Sequence, residues 1–432
     1  MARVVNKKYS LKPFITSICV VFACMSLVLY TVCTENAYSE GMDSQVKKFL
    51  KKVEKDSFKY FLHESNPNNG LVKDSSDPYS PCSIAAVGFG VTALCIAESH
   101  GWIPHEDAYN RVLNTLYTFR DRVKHKKGFY YHFVSMKTGK RVWRSEASSI
   151  DTALFIAGAL FAGEFYKGTE VEKIADQLYR RVNWKWMLNG KKILCMGWKP
   201  ETGFLPYYWD SYSESILLYA LAIASPTYSI PKKSWSEWER PMADSKIGPM
   251  IYCLTGSLFV YQYSHAWIDL KYLYDGDINY FDNSIKATIL NREYCIKKAK
   301  DFRTYGLNSW GLTASYGPYG YKGYGSRPGR GLQDGTVAPC AVAGSIPFAP
   351  TICINALEYM YRQFGNKVYG KYGFYDAYNI DKEWFCKKYL GIDQGITVLM
   401  IDDYLYGTVW KYFMRNRYIK DWVKKCMIDK RK

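Results

Sequence analysis

Between residues 44 and 414, apolar positions recur at the 3.6-residue spacing of helices, and two kinds of helix take turns. One kind is striped. The spacing predicts an amphipathic helix over Ser44–Glu64, with Phe49, Val53, Phe58, Tyr60 and Phe61 on its buried face. A second is predicted from Pro104 to Val123, with Glu106 and Asp107 at its positive end, and a third over Glu170–Leu188. The other kind is apolar on every side: Ser83–Ser99, Ser149–Tyr166 and Ser213–Ala224, all rich in Ala, Leu or Gly. Asn283–Phe302, Pro350–Phe364 and Gly395–Met414 complete the predicted helices. Helices without a polar face must be buried all round, so the alternation predicts an inner ring wrapped by half-exposed helices. The fold expected is all-α, an (α/α)6 barrel with short β-hairpins in its loops, Gly128–Val134 and Ile193–Gly197 being the candidate extended pieces. Strand–helix alternation and Gly-rich phosphate loops do not occur, which excludes Rossmann and triose-barrel architectures. No repeat of solenoid strength is visible.

Tyr305–Pro339 breaks the helical pattern with dense Gly and Tyr, and a long loop of this kind in a compact domain is usually functional. Its tyrosines belong to a wider excess: aromatic residues make up 17% of the chain and Tyr alone accounts for 39 positions. That is more than a core needs, so rings are expected in a cleft, where an apolar face and polar edge suit sugar stacking. Trp209, Tyr212, Trp267, Trp310, Tyr316 and Tyr321 are the candidate platforms, and Arg144 and His265 are candidate hydroxyl binders.

The first forty residues carry a targeting pattern. Arg3, Lys7, Lys8 and Lys12 precede an uncharged apolar run from Phe14 to Cys33, followed by Ala37-Tyr38-Ser39, small residues at peptidase spacing. Residues 1–39 therefore read as a signal peptide or an N-terminal membrane anchor, since the run is long enough to span a bilayer. Residues 40–432 read as one barrel domain, exported to the periplasm or secreted, or held at the inner membrane. Net charge is +18; residues 1–39 carry four positive charges and one negative, leaving +15 for the remainder. Its lysines and arginines are scattered without a nucleic-acid motif, so the expected partner is a glycan, not nucleic acid. The sequence does not set the oligomeric state. Three of the 12 cysteines lie in the export segment. The other nine, such as Cys95 and Cys353, sit mostly in apolar runs without CxxC pairs, so free buried thiols are expected, with one disulfide left open. Six dispersed histidines give no zinc spacing, so a zinc site is not expected.

Acids at the starts of the apolar helices carry the candidate chemistry. Glu146 and Asp151 lie in RSEASSIDTALF, Glu214 in YWDSYSESILLY, Asp269 ends HAWIDL, and Asp393 begins GIDQGITVLM. In a ring, these helix ends gather at one rim, where a glycosidase needs one carboxyl to protonate the leaving oxygen and another to activate water. Asp151 is also placed to be a helix cap. Glu214 enters an apolar helix without an evident partner, and desolvation there would hold it protonated, as a general acid requires. The candidate catalytic residues are Glu214, Glu146 and Asp151; Asp269 and Asp393 are candidate substrate ligands.

The stretches NGLVKD, SIAAVGFGVTAL, SSIDTALFIAGAL, RRVNWKWM, GWKPETGFL, YSESILLYALAIASP, QYSHAWIDL, WGLTAS, DGTVAP, GSIPFAP, KYGFYDAYN and GIDQGITVLMI follow one another in order. Together they resemble the glucoamylase-like family that contains the endo-β-1,2-glucanases, glycoside hydrolase family 144, over roughly Ser44 to Met414. The resemblance implies an (α/α)6 barrel, inverting hydrolysis of β-1,2-linked glucose chains, and no cofactor. It implicates Glu214 through YSES and Glu146 through the Glu before SSIDTA. Where members commonly have Asn, this chain has Asp403 in MIDDY, which would alter substrate preference if it faced the cleft. A transglycosylase or phosphorylase, a non-catalytic glycan binder and a sugar epimerase are the alternative activities, the last wanting histidines in the cleft.

Overall fold

The computed structural model describes residues 43–327 and 329–431. The expected signal or anchor segment lies outside them. The chain divides into two compact units, Met1–Leu50 and Lys51–Lys432. Among the described residues, no helix is long and apolar enough to cross a membrane.

Thirteen α-helices are found among the described residues: α1 Ser44–His63, α2 Ile84–Ser99, α3 His105–Asp121, α4 Ser149–Phe165, α5 Glu170–Arg181, α6 Trp184–Met187, α7 Ile216–Ala224, α8 Tyr280–Lys298, α9 Pro339–Ala343, α10 Pro350–Phe364, α11 Gly391–Leu405, α12 Thr408–Phe413 and α13 Arg417–Cys426. Their contacts in the second unit close a ring of six inner positions. Helix α11 packs on α2, α2 on α4, and α4 on α7. The fourth position is a pair of 3₁₀ turns, Leu258–Tyr261 and Tyr263–Ala266. It joins α7 through the Ser264 hydroxyl, which accepts from Leu217 N–H (3.1 Å) and donates to the Glu214 carbonyl (2.7 Å). It joins α9 through the Gln262 amide, which donates to the Ala341 carbonyl (2.7 Å). Helix α9 on α11 completes the circle, with α3, α5, α8, α10 and α13 packed outside it.

The ring's tightest seam has a plain cause. A Cβ on Gly158 would lie 2.2 Å from the Gly88 carbonyl oxygen, and one on Gly88 would lie 2.3 Å from the Leu154 carbonyl oxygen. Only glycine lets α2 and α4 approach so closely.

Several elements differ from expectation. The stretch expected as Glu170–Leu188 breaks into α5 and α6, because the Asn183 side chain accepts from Trp186 N–H and restarts the helix. Gly395–Met414 is α11 plus α12: Gly407 turns left-handed (φ +65) and the Asp402 carboxylate accepts from Thr408 N–H (3.1 Å). Helix α8 begins at Tyr280 because Asn279 caps it, accepting from Asp282 N–H. The Gly/Tyr loop holds one hairpin, Ala314–Gly317 against Gly320–Gly323. All nine cysteines of the described residues are free, eight buried and Cys426 half-buried.

Candidate functional site

Short β pairs tie the starts of the inner helices together. Cys82–Ser83 pairs with Phe133–Val134, and Ala147–Ser148 pairs with Gly197–Lys199. Ser83 caps α2 and Ser148 caps α4, so Asp151 is not itself the cap. It is the third residue of α4, as Asp393 is the third residue of α11, and both carboxylates are buried. The positive ends of these helices favour negative charge beside them.

These ends surround a cavity of about 180 Å³ lined by Asp74, Asp151, Glu214, Asp393, His132, Gln262, Tyr263 and Tyr321, with apolar side chains such as Ile150, Leu154, Phe259 and Ile396 between them. Burial first, and then the charge of Asp151, pushes the Glu214 carboxyl up to about 7. Asp74 is raised by burial to about 6, against the opposing pull of His132. Asp393 is raised well above the usual range by burial and by Asp376, which lies behind it. Asp376 is raised by burial to about 6 while accepting from Tyr316 N–H (2.7 Å). Two buried carboxyls in contact cannot both ionise easily, so this pair holds one proton between them.

His132 is the basic side chain of the cavity wall. Its Nδ1 is 3.1 Å from Glu146 and its Nε2 is 3.5 Å from Asp151. Burial alone would lower it, but Asp151, Glu146 and Asp74 together raise it to about 9. Burial in turn would raise Glu146, and His132 overrides that, holding it below the ordinary value. Asp151 stays above its ordinary value through burial, with His132 and Ser148 pulling the other way. His132, Glu146 and Asp151 have the clustering of metal ligands, as do Glu54, His100 and Asp402 away from the cavity. The two ring nitrogens of His132 face different carboxylates, so the imidazolium itself bridges them.

The structure gathers some expected residues and disperses others. Glu214, Asp151, Asp393 and Tyr321 line the cavity, and Tyr316 lies beside Tyr321 (ring centroids 5.6 Å). Glu146 stands behind His132 instead of lining the wall. Asp269 is outside it and caps a turn, accepting from Lys271 N–H (3.1 Å). His265 is core: buried among Phe281 and Phe348, its Nε2 3.0 Å from the Ser284 hydroxyl, it is pushed down to about 3 by burial. Four of the expected sugar platforms are also core. Trp267 donates to the Thr92 hydroxyl (3.1 Å) and packs on Phe89, and Trp209 donates to Ser149 (2.9 Å). Tyr212 stacks on Tyr280, and Trp310 is fully buried. Arg144 is exposed in a surface turn. Asp403 is buried and accepts from Trp410 N–H (3.0 Å); it does not line the cavity, so the condition for it to alter substrate preference is not met.

Sequence reasoning missed Asp74, His132, Asp376 and Gln262. Asp74 and Asp376 stand inside the ordered motifs NGLVKD and KYGFYDAYN, which was a usable signal; His132 had none beyond its place in an extended piece.

Known proteins share this fold. Residues 206–417 match the Glycoamylase family model, described as glucoamylase. An exo-β-1,2-glucooligosaccharide sophorohydrolase (non-reducing end) from Parabacteroides distasonis is 27% identical across 90% of this chain; the chain spans 60% of that relative's length. The endo-β-1,2-glucanase from Chitinophaga pinensis, solved with sophorotriose and glucose, superposes with a TM-score of 0.81 at 29% identity, covering 88% of this chain and 98% of that one. A β-1,2-glucanase structure from Parabacteroides distasonis gives 0.83 at 25% identity, over 88% of this chain and 60% of its own. These matches, with the closed ring and the acids at its rim, make the chain similar in sequence and fold to the glucoamylase-like proteins.

Proposed function

We propose that this protein is an inverting glycoside hydrolase acting on β-1,2-linked glucan, with Glu214 as its general acid. The observation that carries the reading is Glu214 itself, a carboxyl held up to about 7 by burial in a cavity walled by other carboxylates. Such a group is protonated near neutrality and can give its proton to the glycosidic oxygen as the bond to the anomeric carbon breaks. The base must lie far enough across the cleft to hold a water against the opposite face of the sugar, ~6.5–9.5 Å from the acid. Asp151 is the carboxylate whose charge Glu214 feels, whereas Asp393 and Asp376 form a separate pair. That pair, with one proton for two carboxyls, retains a negative charge to take the proton from water. Asp151, kept ionised by His132, stabilises the positive charge that develops on the sugar ring.

Water is favoured over phosphate as acceptor because the charges of Asp74, Asp151 and the Asp393–Asp376 pair outweigh the one imidazolium facing the cavity, a field that repels anions. Epimerisation needs a histidine free to move protons, and both nitrogens of His132 face carboxylates. The similarity to β-1,2-glucan-degrading relatives supports the linkage. Export to the periplasm or beyond follows from the sequence of residues 1–39 and suits a polymeric substrate. The test is ¹H NMR of the first products from linear β-1,2-glucan, with β-1,3-, β-1,4- and β-1,6-glucans as controls. New α-anomeric reducing ends from the β-1,2 polymer are expected. First products in the β form would refute inversion, and cleavage of another linkage alone would refute the substrate.

A further inference from the structure

The turn that leads into Glu146 is built in an unfavourable way. Ser145 N–H bonds back to the Val142 carbonyl (3.1 Å), and the two central residues, Trp143 and Arg144, both have left-handed φ, +55 and +51. Mirror-image turns of this kind normally carry Asn and Gly, because a Cβ crowds the backbone there. Here the chain places two bulky, polar-tipped side chains instead. The flanks are locked: Val142 N–H bonds the Phe133 carbonyl (3.1 Å), and the Ser145 hydroxyl bonds both Phe133 N–H and its carbonyl. The Arg141 guanidinium grips Glu201 with two hydrogen bonds of 2.6 and 3.0 Å. Strain held by so rigid a frame points to a task for the residues that bear it.

Trp143 is 67% exposed, which is unusual for so large an apolar side chain set in a fixed position. Its ring leans on Phe133 (centroids 5.0 Å, 60°), and Phe133 stacks on His132 (3.9 Å, 16°), which lines the cavity. The indole is thus linked to the cavity wall through Phe133, two ring spacings from the imidazole that faces Asp151. Arg144, the next residue, is also exposed and carries a fork of donors.

We propose that Trp143, with Arg144, forms an outer subsite that binds a glucose unit of the polymer beyond the units gripped in the cavity. This rests on the glucan-hydrolase reading above. The indole face stacks on the C–H face of a pyranose while the guanidinium donates to its hydroxyls. The subsite therefore serves long chains and adds nothing to ligands too short to reach it.

The test uses the full chain in a Glu214→Gln background, titrating linear β-1,2-glucan and a β-1,2-linked glucose disaccharide by calorimetry, with Trp143→Ala, Trp143→Phe and Trp143→Gly. The polymer is expected to bind about tenfold more weakly to Trp143→Ala, near normally to Trp143→Phe, and the disaccharide equally to all. Trp143→Gly relieves the left-handed strain, so it should melt no lower than the Trp143→Ala variant while binding the polymer as poorly. A merely structural role would make binding follow stability. Unchanged polymer affinity in Trp143→Ala and Trp143→Gly, while wild type cleaves the polymer, would overturn the subsite alone. A wild type that neither binds nor cleaves the polymer would overturn the function and the subsite with it.

Discussion

Replacing His132 with glutamine removes the basic side chain of the cavity wall and leaves Glu146 and Asp151 facing each other across its place. Removing one partner of a fully buried ion pair costs roughly 3–5 kcal/mol. A third of the His132 side chain is exposed (33%), and Glu146 is 23% exposed, so solvent takes part of the load and about 2 kcal/mol is expected. At a conversion of roughly 2 °C per kcal/mol for a domain of this size, melting should fall by about 4 °C. The effect has a definite pH window. His132 is raised from 6.5 to about 9 in the folded protein, so its stabilisation is complete below about 6.5 and is lost as pH rises through about 9. Thermal melts of wild type and His132→Gln at pH 6 should therefore differ by the full amount, and at pH 10 by little. An equal difference at both values would refute the argument that the imidazolium, rather than the ring's packing on Phe133, holds the two carboxylates.

Activity should be confined between two carboxyl titrations: it falls as pH rises through about 7, where Glu214 loses its proton, and as pH falls through about 6, where Asp376 gains one. A kcat profile still flat at pH 9 would count against Glu214 as acid. Asp393→Asn should lower kcat by roughly 10²–10⁴-fold, the range for loss of a general base. Asp376→Asn removes the charge that raises Asp393, so the acidic limb of the pH profile should move to lower pH; movement upward would contradict the shared-proton pair. Gly158→Ala would force a methyl to within 2.2 Å of the Gly88 carbonyl, and overpacking of this kind costs roughly 1–3 kcal/mol, readable as a lower melting temperature.

Much of the architecture was legible because the inner helices must satisfy a severe condition. Helices α2, α4 and α7 are apolar on all faces, so only a fully enclosed position can hold them. The acids at their starts were legible for the same reason: Asp151 and Glu214 are conspicuous because the next charged residues are Glu164 and Lys232. The inner position at Leu258–Ala266 was not legible, since its polar residues Gln262, Ser264 and His265 read as surface yet are buried and bonded to neighbouring segments. Four of the six stacking platforms failed in the opposite sense. Trp267 and Trp310 stand in motifs that resemble a cleft, but an indole that donates to a buried hydroxyl or fills a ring's interior looks the same in sequence as one that meets a sugar. His132 escaped notice because its meaning lies in contacts with residues 14 and 19 positions away, made only when the segment before α4 folds back.

The most direct measurement is product analysis of linear β-1,2-glucan after incubation with wild type and with Glu214→Gln, which keeps the side chain's shape and removes its proton. The account predicts short β-1,2-linked oligosaccharides from wild type and a loss of at least about 10²-fold in rate for the variant. Comparable rates from both proteins would contradict it, because the buried carboxyl on which the mechanism rests would then be dispensable.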